Sequence, residues 1–287
     1  MSKILVTGGL GFIGSNLVDK LIEQGHEDIT VIDNLISASS SETYKREGVR
    51  YLIEDIRNIQ EIFKDEKFDI IYHLAALARI QPSFEKPVET IDIDSFCTAK
   101  VCEYARSCGA KIVYAGSSSF YAGPHLNPYA FAKWQGEEIC KLYSKCFDLS
   151  TAITRFFNVY GPRHPQEGPY ATVVGIFEKQ YQKGQPLTIT GDGEQRRDFA
   201  FVGDICSGLI AASKGEWRGE IFNLGTGTNY SINELANMFY ENKKYIPKRP
   251  GEALITMADI SFTMEKTGWK PVQDLQSYIE EFKNEVK

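Results

Sequence analysis

Tyr129 and Lys133 stand four residues apart in the stretch Y-A-F-A-K. On a helix, residues at i and i+4 share one face, about 5–6 Å apart at Cβ. An ammonium held that close stabilises a phenolate. The spacing therefore predicts a Tyr129 pKa drawn down from its reference near 10, and a general base usable near neutral pH. A Tyr and a Lys on one helix face also describe a solvated or snorkelling surface. The elements around the pair decide between the two readings.

The chain opens K-I-L-V-T-G-G-L-G-F-I-G-S-N-L. Ile4 to Val6 form a short apolar run of the kind that buried parallel strands show. Gly9, Gly11 and Gly14 fit G-x-G-x-x-G, and Gly8, Gly11 and Gly14 fit the related G-x-x-G-x-x-G. A helix follows, with Leu17, Val18 and Leu21 on its apolar side and a stop near Gly25. A second strand, I-T-V-I-D, ends at Asp33. The glycines let the backbone approach a pyrophosphate at the helix N-terminus, where free N–H groups and the dipole favour an anion. Asp33 falls about 20 residues on, where a carboxylate accepts from a ribose 2′-hydroxyl and repels a 2′-phosphate. The pattern predicts a dinucleotide site that favours NAD over NADP.

Composition sets bounds. With 287 residues and 43% hydrophobic content, the chain can bury a large core as one big domain or two smaller ones. A net charge of −6 without a long basic run argues against nucleic acid or an anionic membrane as partner, while leaving room for a local cationic pocket. The six cysteines, Cys97, Cys102, Cys108, Cys140, Cys146 and Cys206, form no C-x-x-C and do not cluster with the four His at metal spacing. They read as reduced structural thiols in a cytoplasmic protein that holds no metal. No apolar run approaches the roughly 18 residues of a membrane span, and the N-terminus enters a strand at once, without a signal peptide.

From the N-terminus to about residue 155, strand and helix patterns alternate. Strands are expected at Arg50–Ile53 (followed by E-D-I-R), in F-D-I-I-Y-H-L-A-A, in K-I-V-Y-A-G and in L-S-T-A-I-T-R-F-F. Helices are expected over Val88–Cys108 and from the Tyr129 region to Phe147. Such alternation implies a parallel sheet with helices on both faces. The rest is less regular. It comprises a Pro/Gly/His-rich loop at Gly161–Gly168, a helix near Tyr170–Lys183, the strand L-T-I, the turn-rich G-D-G-E and a strand E-I-F-N-L-G returning to the sheet. Ser231 should cap a helix starting at Ile232, with Glu234 completing a capping box. Gln276–Val286 reads as a helix and S-A-S-S-S at Ser37–Ser41 as a loop. There are no internal repeats. The division expected is a nucleotide-binding unit over 1–157, with a returning segment near 198–225, and a mainly substrate-binding unit over 158–287.

The strand V-Y-A-G runs into Ser117, Ser118 and Ser119, then F-Y-A-G. A Ser at a strand C-terminus stands where ligands meet such a sheet and can donate to a substrate oxygen, though the same residues suit a polar turn. Together these pieces resemble the extended short-chain dehydrogenase/reductase family, in its NAD-dependent sugar-nucleotide epimerase/dehydratase branch. The resemblance runs through V-T-G-G-L-G-F-I-G, V-I-D-N-L, E-D-I-R, H-L-A-A, the Ser cluster, Y-A-F-A-K and R-F-F-N-V-Y-G-P-R. It continues through G-D-G-E-Q-R-R-D-F, F-N-L-G-T-G, R-P-G-E and G-W-K-P.

This resemblance implies a Rossmann-type doubly wound parallel α/β sheet with a smaller mixed α/β C-terminal substrate domain. It assigns Tyr129, Lys133 and Ser117 as the catalytic group. Gly8, Gly11, Phe12, Ile13 and Gly14 become the pyrophosphate loop of NAD. Asp33 and Asn34 take the adenosine ribose, Asp55 and Ile56 the adenine edge, and Ala75 and Ala76 the strand end beside the cofactor. Lys133 also bonds the nicotinamide ribose. Ser117, Ser118 and Asn158 face the substrate, and Arg197 and Arg249 grip its diphosphate, a task suited to bidentate guanidinium.

Departures from the family pattern narrow the reaction. The 4,6-dehydratases follow the catalytic Ser/Thr with Asp-Glu, and the decarboxylases usually carry a Glu at the second position. Here Ser118 and Ser119 stand there. What remains fits a UDP-hexose 4-epimerase: Tyr129 takes the proton of the sugar 4-hydroxyl, Ser117 bonds the same oxygen, and a transient 4-ketone turns over before reduction from its other face. The alternatives are a UDP-glucuronate epimerase or reductase, or an idle NAD-binding regulator. Only 12 positions separate Ser117 from Tyr129, a shorter substrate-covering segment than usual. Thr190 replaces the aromatic ring that often stacks on the base. Thr256 falls where related 4-epimerases place the residue facing the sugar C2 substituent; its small size implies acceptance of N-acetylated sugars. The resemblance also implies a homodimer built on the helices near Val88–Cys108 and Ala130–Phe147.

Overall fold

The structure is a computed structural model, and it describes residues 2–36 and 41–286. Six strands arise in the order expected: β1 (Ile4–Thr7), β2 (Ile29–Asp33), β3 (Arg50–Ile53), β4 (Ile70–His73), β5 (Lys111–Ser117) and β6 (Thr151–Phe156). With the returning strand Arg218–Leu224 they form one seven-stranded sheet, ordered returning strand–β6–β5–β4–β1–β2–β3. Every pairing in it is parallel. The order reverses between β1 and β4, the switch point at whose carboxyl ends ligands bind in such sheets.

The strands read as unbroken apolar runs because both faces are covered. Ile4 and Val6 point into one core with Leu17, Val18 and Leu21 of the first helix (Phe12–Glu23) and Ile205, Cys206 and Leu209 of the helix Val202–Ser213. Leu5, between them, points to the other face, where Phe63, Val101, Cys102, Tyr104 and Cys140 pack. A third core, around Tyr160, Phe177, Leu187, Ile189, Leu235, Phe239 and Ile279, joins the later elements. The capping box forms as expected: the Ser231 hydroxyl accepts from the Glu234 N–H, and the Glu234 carboxylate accepts from the Ser231 N–H.

Several elements differ from the sequence reading, three of them among the longer helices. The Val88–Cys108 stretch is not one regular helix. It runs as Pro87–Ile91, a π-helical turn at Asp92–Phe96, and Cys97–Cys108. The helix expected near Tyr170 begins at Val173, because Thr172 is its N-cap and accepts from the Gly175 N–H. The helix Val202–Ser213 was not anticipated. Nine of its twelve residues are buried, so it shows no amphipathic period. Its Gly208 also lowers intrinsic propensity, yet a Cβ there would lie 2.6 Å from Leu224. The loop expected at 37–41 lies largely outside the described residues.

The helix Pro128–Phe147, which carries Tyr129 and Lys133, is seated on the sheet by a buried ion pair. Arg155 of β6 donates from Nε and Nη2 to the two Glu137 oxygens, at 2.9 and 2.6 Å. Their side chains are only 4% and 1% exposed. Removing one partner of such a pair strands the other charge. Glu137→Gln should therefore destabilise the fold by about 3–5 kcal/mol in urea unfolding. Glu138→Gln, on the solvent side of the same helix, should change it by no more than about 0.5 kcal/mol. Equal effects would remove the pair from its seating role.

Candidate active site

At the carboxyl ends of the strands a single cavity of about 470 Å³ runs from the glycine loop to the R-P-G-E segment. Every residue that the family resemblance assigns to the site lines it. On the nucleotide side are Gly8, Gly11, Phe12, Ile13, Gly14, Asp33, Asn34, Asp55, Ile56, Ala75 and Ala76. On the other side are Ser117, Ser118, Tyr129, Lys133, Asn158, Arg197, Arg249 and Thr256.

Close approach explains the glycines. Gly8 has φ +71°, and a Cβ on it would lie 2.8 Å from the Ala75 nitrogen. A Cβ on Gly14 would lie 2.2 Å from the Gly8 oxygen. Gly9 instead leaves room for Val31, 2.7 Å from where its Cβ would stand, so it serves the sheet rather than the cavity. Gly11 is the N-cap of the first helix and has no side-chain cap, which leaves that helix's first N–H groups to a ligand. Asp33 accepts from the Leu10 and Leu35 N–H groups, at 3.0 and 2.8 Å. Asn34 donates to Asp55 at 3.0 Å. Burial pushes the Asp55 pKa up, but hydrogen bonds from Arg57 and Asn34 and the Arg57 charge together hold it below the usual carboxylate range. These residues fit the polar edge of an adenosine.

A buried hydrogen-bond chain ties β1 and β4 to the helix Cys97–Cys108. Thr98 donates to the Asp94 carbonyl at 2.9 Å, so its oxygen accepts from His73 Nε2, 3.2 Å away. His73 Nδ1 then accepts from the Thr7 hydroxyl at 2.8 Å, and the Thr7 oxygen accepts from the Ala75 N–H at 3.1 Å. Burial, aided by the Lys133 charge, holds His73 neutral, its pKa pushed down to about 3.

The Tyr–Lys pair behaves differently from the spacing argument. Lys133 is 4% exposed, and its Nζ donates to the Ala115 carbonyl at 2.9 Å. Burial lowers its pKa, while Asp94 and Glu137 oppose that. The Tyr129 pKa is raised, not lowered: burial pushes it up to about 12, against opposition from the Ser117 hydroxyl and from Arg79. The ammonium faces the sheet and is balanced by acids there, so it does not act on the phenol as two exposed helix positions would.

Ser117 has a defined orientation. Its Oγ accepts from the Ser119 N–H at 3.2 Å and from the Ser119 hydroxyl at 2.9 Å. Its own proton is therefore left to donate, and the Tyr129 oxygen is an acceptor beside it. Across the cavity, Asn158 donates to the Asp198 carbonyl at 3.3 Å and to Thr256 Oγ1 at 3.4 Å. Arg197 donates to the Arg196 carbonyl at 2.9 Å and lies 3.7 Å from Glu252, while Arg249 is exposed.

Sequence reasoning missed four contributors. Asp198 is fully buried and accepts from the N–H groups of Thr226, Gly227 and Ala258, which fixes the wall holding Thr256. Asn127 and Gln81 donate to the carbonyls of Gly251 and Pro250, both at 3.0 Å, and so hold the R-P-G-E segment over the cavity. Arg79 enters the wall beside Tyr129. Its place just after the strand end H-L-A-A was the available signal, since loops there overlie the ligand crevice.

This is a dinucleotide-binding α/β enzyme with a Ser–Tyr–Lys group in its ligand cleft. The model of the NAD-dependent epimerase/dehydratase family matches residues 4–225. A putative UDP-glucose 4-epimerase of Methanocaldococcus jannaschii is 36% identical over 99% of this chain and 98% of its own. A UDP-N-acetyl-alpha-D-glucosaminuronate decarboxylase of Bacillus cytotoxicus is 31% identical over 83% and 79%. Among solved structures, the UDP-glucose 4-epimerase of Thermotoga maritima with UDP-glucose superposes with a TM-score of 0.91 at 28% identity, over 99% of this chain and all of that one. The chain belongs to the NAD-dependent epimerase/dehydratase family, and NAD is its cofactor. Among the described residues, no helix is long and apolar enough to cross a membrane.

Without cofactor, Tyr129 should remain a phenol. An ultraviolet difference titration, wild type against Tyr129→Phe, should show no phenolate signal below about pH 10. A phenolate appearing near pH 7 would restore Lys133 as the dominant influence.

Proposed function

We propose that the protein is a 4-epimerase of UDP-linked hexoses. The observation that carries this reading is the set of groups around Ser117. Ser118 and Ser119 place hydroxyls where elimination of water, or loss of a carboxylate, would call for an acid. Ser119 spends its proton on Ser117. The site is then equipped to move one proton at one sugar oxygen and little else.

On this reading the residues divide the work simply. Ser117 donates to the sugar 4-oxygen, and Tyr129 as phenolate accepts its proton and later returns it. Lys133, held by the Ala115 carbonyl and balanced by the Asp94 charge, orients the ribose of the cofactor. NAD supplies the hydride acceptor and gives the hydride back, so no net redox change results. Bound NAD would add positive charge that favours the Tyr129 phenolate, together with Ser117 and Arg79. Arg197 and Arg249 stand where a diphosphate enters. The free thiols fit a reducing compartment, so the cytoplasm is the place of work.

Thr256 is the proposed determinant at the sugar C2 position. It is buried in the cavity wall and braced by Asn158. A Tyr there would fill space that the Thr leaves, at a strain of about 1–3 kcal/mol for any substituent displaced. Tyr129→Phe should bind NAD normally and lose epimerisation by at least ~100-fold. Thr256→Tyr should reduce turnover of UDP-GlcNAc and UDP-GalNAc while sparing UDP-Gal. Products resolved by NMR decide both. Activity near wild type in Tyr129→Phe, or equal loss on both sugar pairs in Thr256→Tyr, would overturn the respective assignments.

The two helical stretches also expose large apolar side chains, Val88 (80%), Phe96 (58%), Leu142 (53%) and Phe147 (51%). We propose that a second copy covers them in a C₂ homodimer. Sedimentation should show a dimer at micromolar concentration that Leu142→Asp weakens. A wild-type monomer would refute it.

A further inference from the structure

The loop after β4 brings a second cation to the Tyr129 end of the cavity, where its charge favours a phenolate but most of its donors are left unused. Arg79 is half-buried in the cavity wall. Its Nε and Nη2 both donate to the Tyr170 carbonyl, at 2.9 and 2.6 Å. One N–H of Nη2 and both of Nη1 remain, the end-on fork that matches a carboxylate bidentately. Among the described residues no carboxylate oxygen lies within 4.0 Å of this guanidinium. Of the other arginines at or near the site, Arg57, Arg155 and Arg197 each face an acid, and Arg249 is exposed to solvent.

The Tyr170 carbonyl does not account for the charge. A Gln would hold a carbonyl without it. Taking a guanidinium out of water with no counter-ion is costly, and the cost is recovered only when an anion arrives. Asp94 cannot be that anion. It is 1% exposed, accepts from the Leu77 N–H at 2.7 Å, and balances Lys133. The diphosphate is served by Arg197 and Arg249 at the other side of the cavity. A Tyr129 phenolate offers one oxygen, and only while its proton is away, so it does not fill an end-on fork; a group on the sugar can. The hydroxyls and N-acetyl groups of a hexose are neutral at physiological pH, whereas a ring carboxylate is ionised.

We propose that Arg79 is a specificity-determining residue that binds a carboxylate on the sugar, so that the preferred substrates are nucleotide-linked hexuronates rather than neutral hexoses. This rests on the 4-epimerase reading for the reaction and on the unpaired guanidinium for the substrate class. It leaves the wall at Thr256 to decide what stands at C2.

The test uses wild type, Arg79→Gln and Arg79→Lys, with UDP-glucuronate and UDP-galacturonate against UDP-glucose and UDP-galactose. NMR follows the products, calorimetry the binding, and melting temperature the fold. In wild type, kcat/KM should be higher for the acidic pair. Arg79→Gln should lower the acidic-to-neutral ratio by on the order of 10- to 100-fold, mainly through KM, the scale of one charged hydrogen-bonded contact. Arg79→Lys should retain part of the ratio. Equal losses on both pairs, or a wild type that prefers the neutral pair with a ratio that Arg79→Gln leaves unchanged, would overturn the role of Arg79 and leave the epimerase standing. Tight, Arg79-dependent binding of UDP-glucuronate without epimerisation, or with release of CO₂ and a pentose product, would overturn the epimerase and leave Arg79 standing.

Discussion

The geometry of the site depends on the buried contact between Arg155 and Glu137. Arg155 sits on β6, Glu137 on the helix that carries Tyr129 and Lys133, and the two bonds between them set the helix in register with the sheet. Two glycines make the fit possible. A Cβ on Gly116 would lie 2.8 Å from the Glu137 carboxylate, and one on Gly136 would lie 2.1 Å from the Tyr114 hydroxyl. The guanidinium also stacks on Phe120, with its carbon 3.7 Å from the ring centroid. Phe120 belongs to the turn directly after Ser117. One side chain thus ties together the strand, the helix bearing the Tyr and the turn bearing the Ser. A surface pair could not do this, because screening and side-chain entropy would leave it weak.

That seating has an electrostatic consequence. Holding the helix tightly on the sheet buries Lys133 and turns its ammonium toward the Ala115 carbonyl and Asp94. The π-helical turn at Asp92–Phe96 is what places Asp94 there, and such turns often mark functional positions. The Lys133 charge is already balanced there, and burial holds the Tyr129 pKa well above neutral.

Much of this was legible in the sequence, for identifiable reasons. Strands covered on both faces write themselves as apolar runs, and the glycine loop, the acid at Asp33 and the capping box at Ser231 are local patterns whose geometry lies within a few residues. What escaped depends on contacts across long separations. The helix Val202–Ser213 is buried nearly all round and shows no period. The direction of the Tyr129 shift was misread because i, i+4 spacing fixes where Cβ atoms stand, not which way a long side chain turns. Arg79 and Asp198 belong to no local pattern: one finds its partner at Tyr170, the other gathers backbone from 226, 227 and 258.

The short segment between Ser117 and Tyr129 shows how the same chain closes a cavity with less material. Its Asn127 has two duties: its oxygen caps the helix by accepting from the Ala130 N–H at 2.8 Å, and its amide donates to the Gly251 carbonyl. Gly251 has φ +74°, a conformation that turns that carbonyl toward the helix at little cost only for glycine. With Gln81 on the neighbouring Pro250, the R-P-G-E segment is drawn onto the mouth of the cavity. The cavity is closed by a clamp of two side-chain amides, one from the short helix Ile80–Glu85 that follows Arg79 and one from the cap of the helix that carries Tyr129. The R-P-G-E segment is therefore mechanically joined to the elements that carry Arg79 and Tyr129, so a displacement at one disturbs the others.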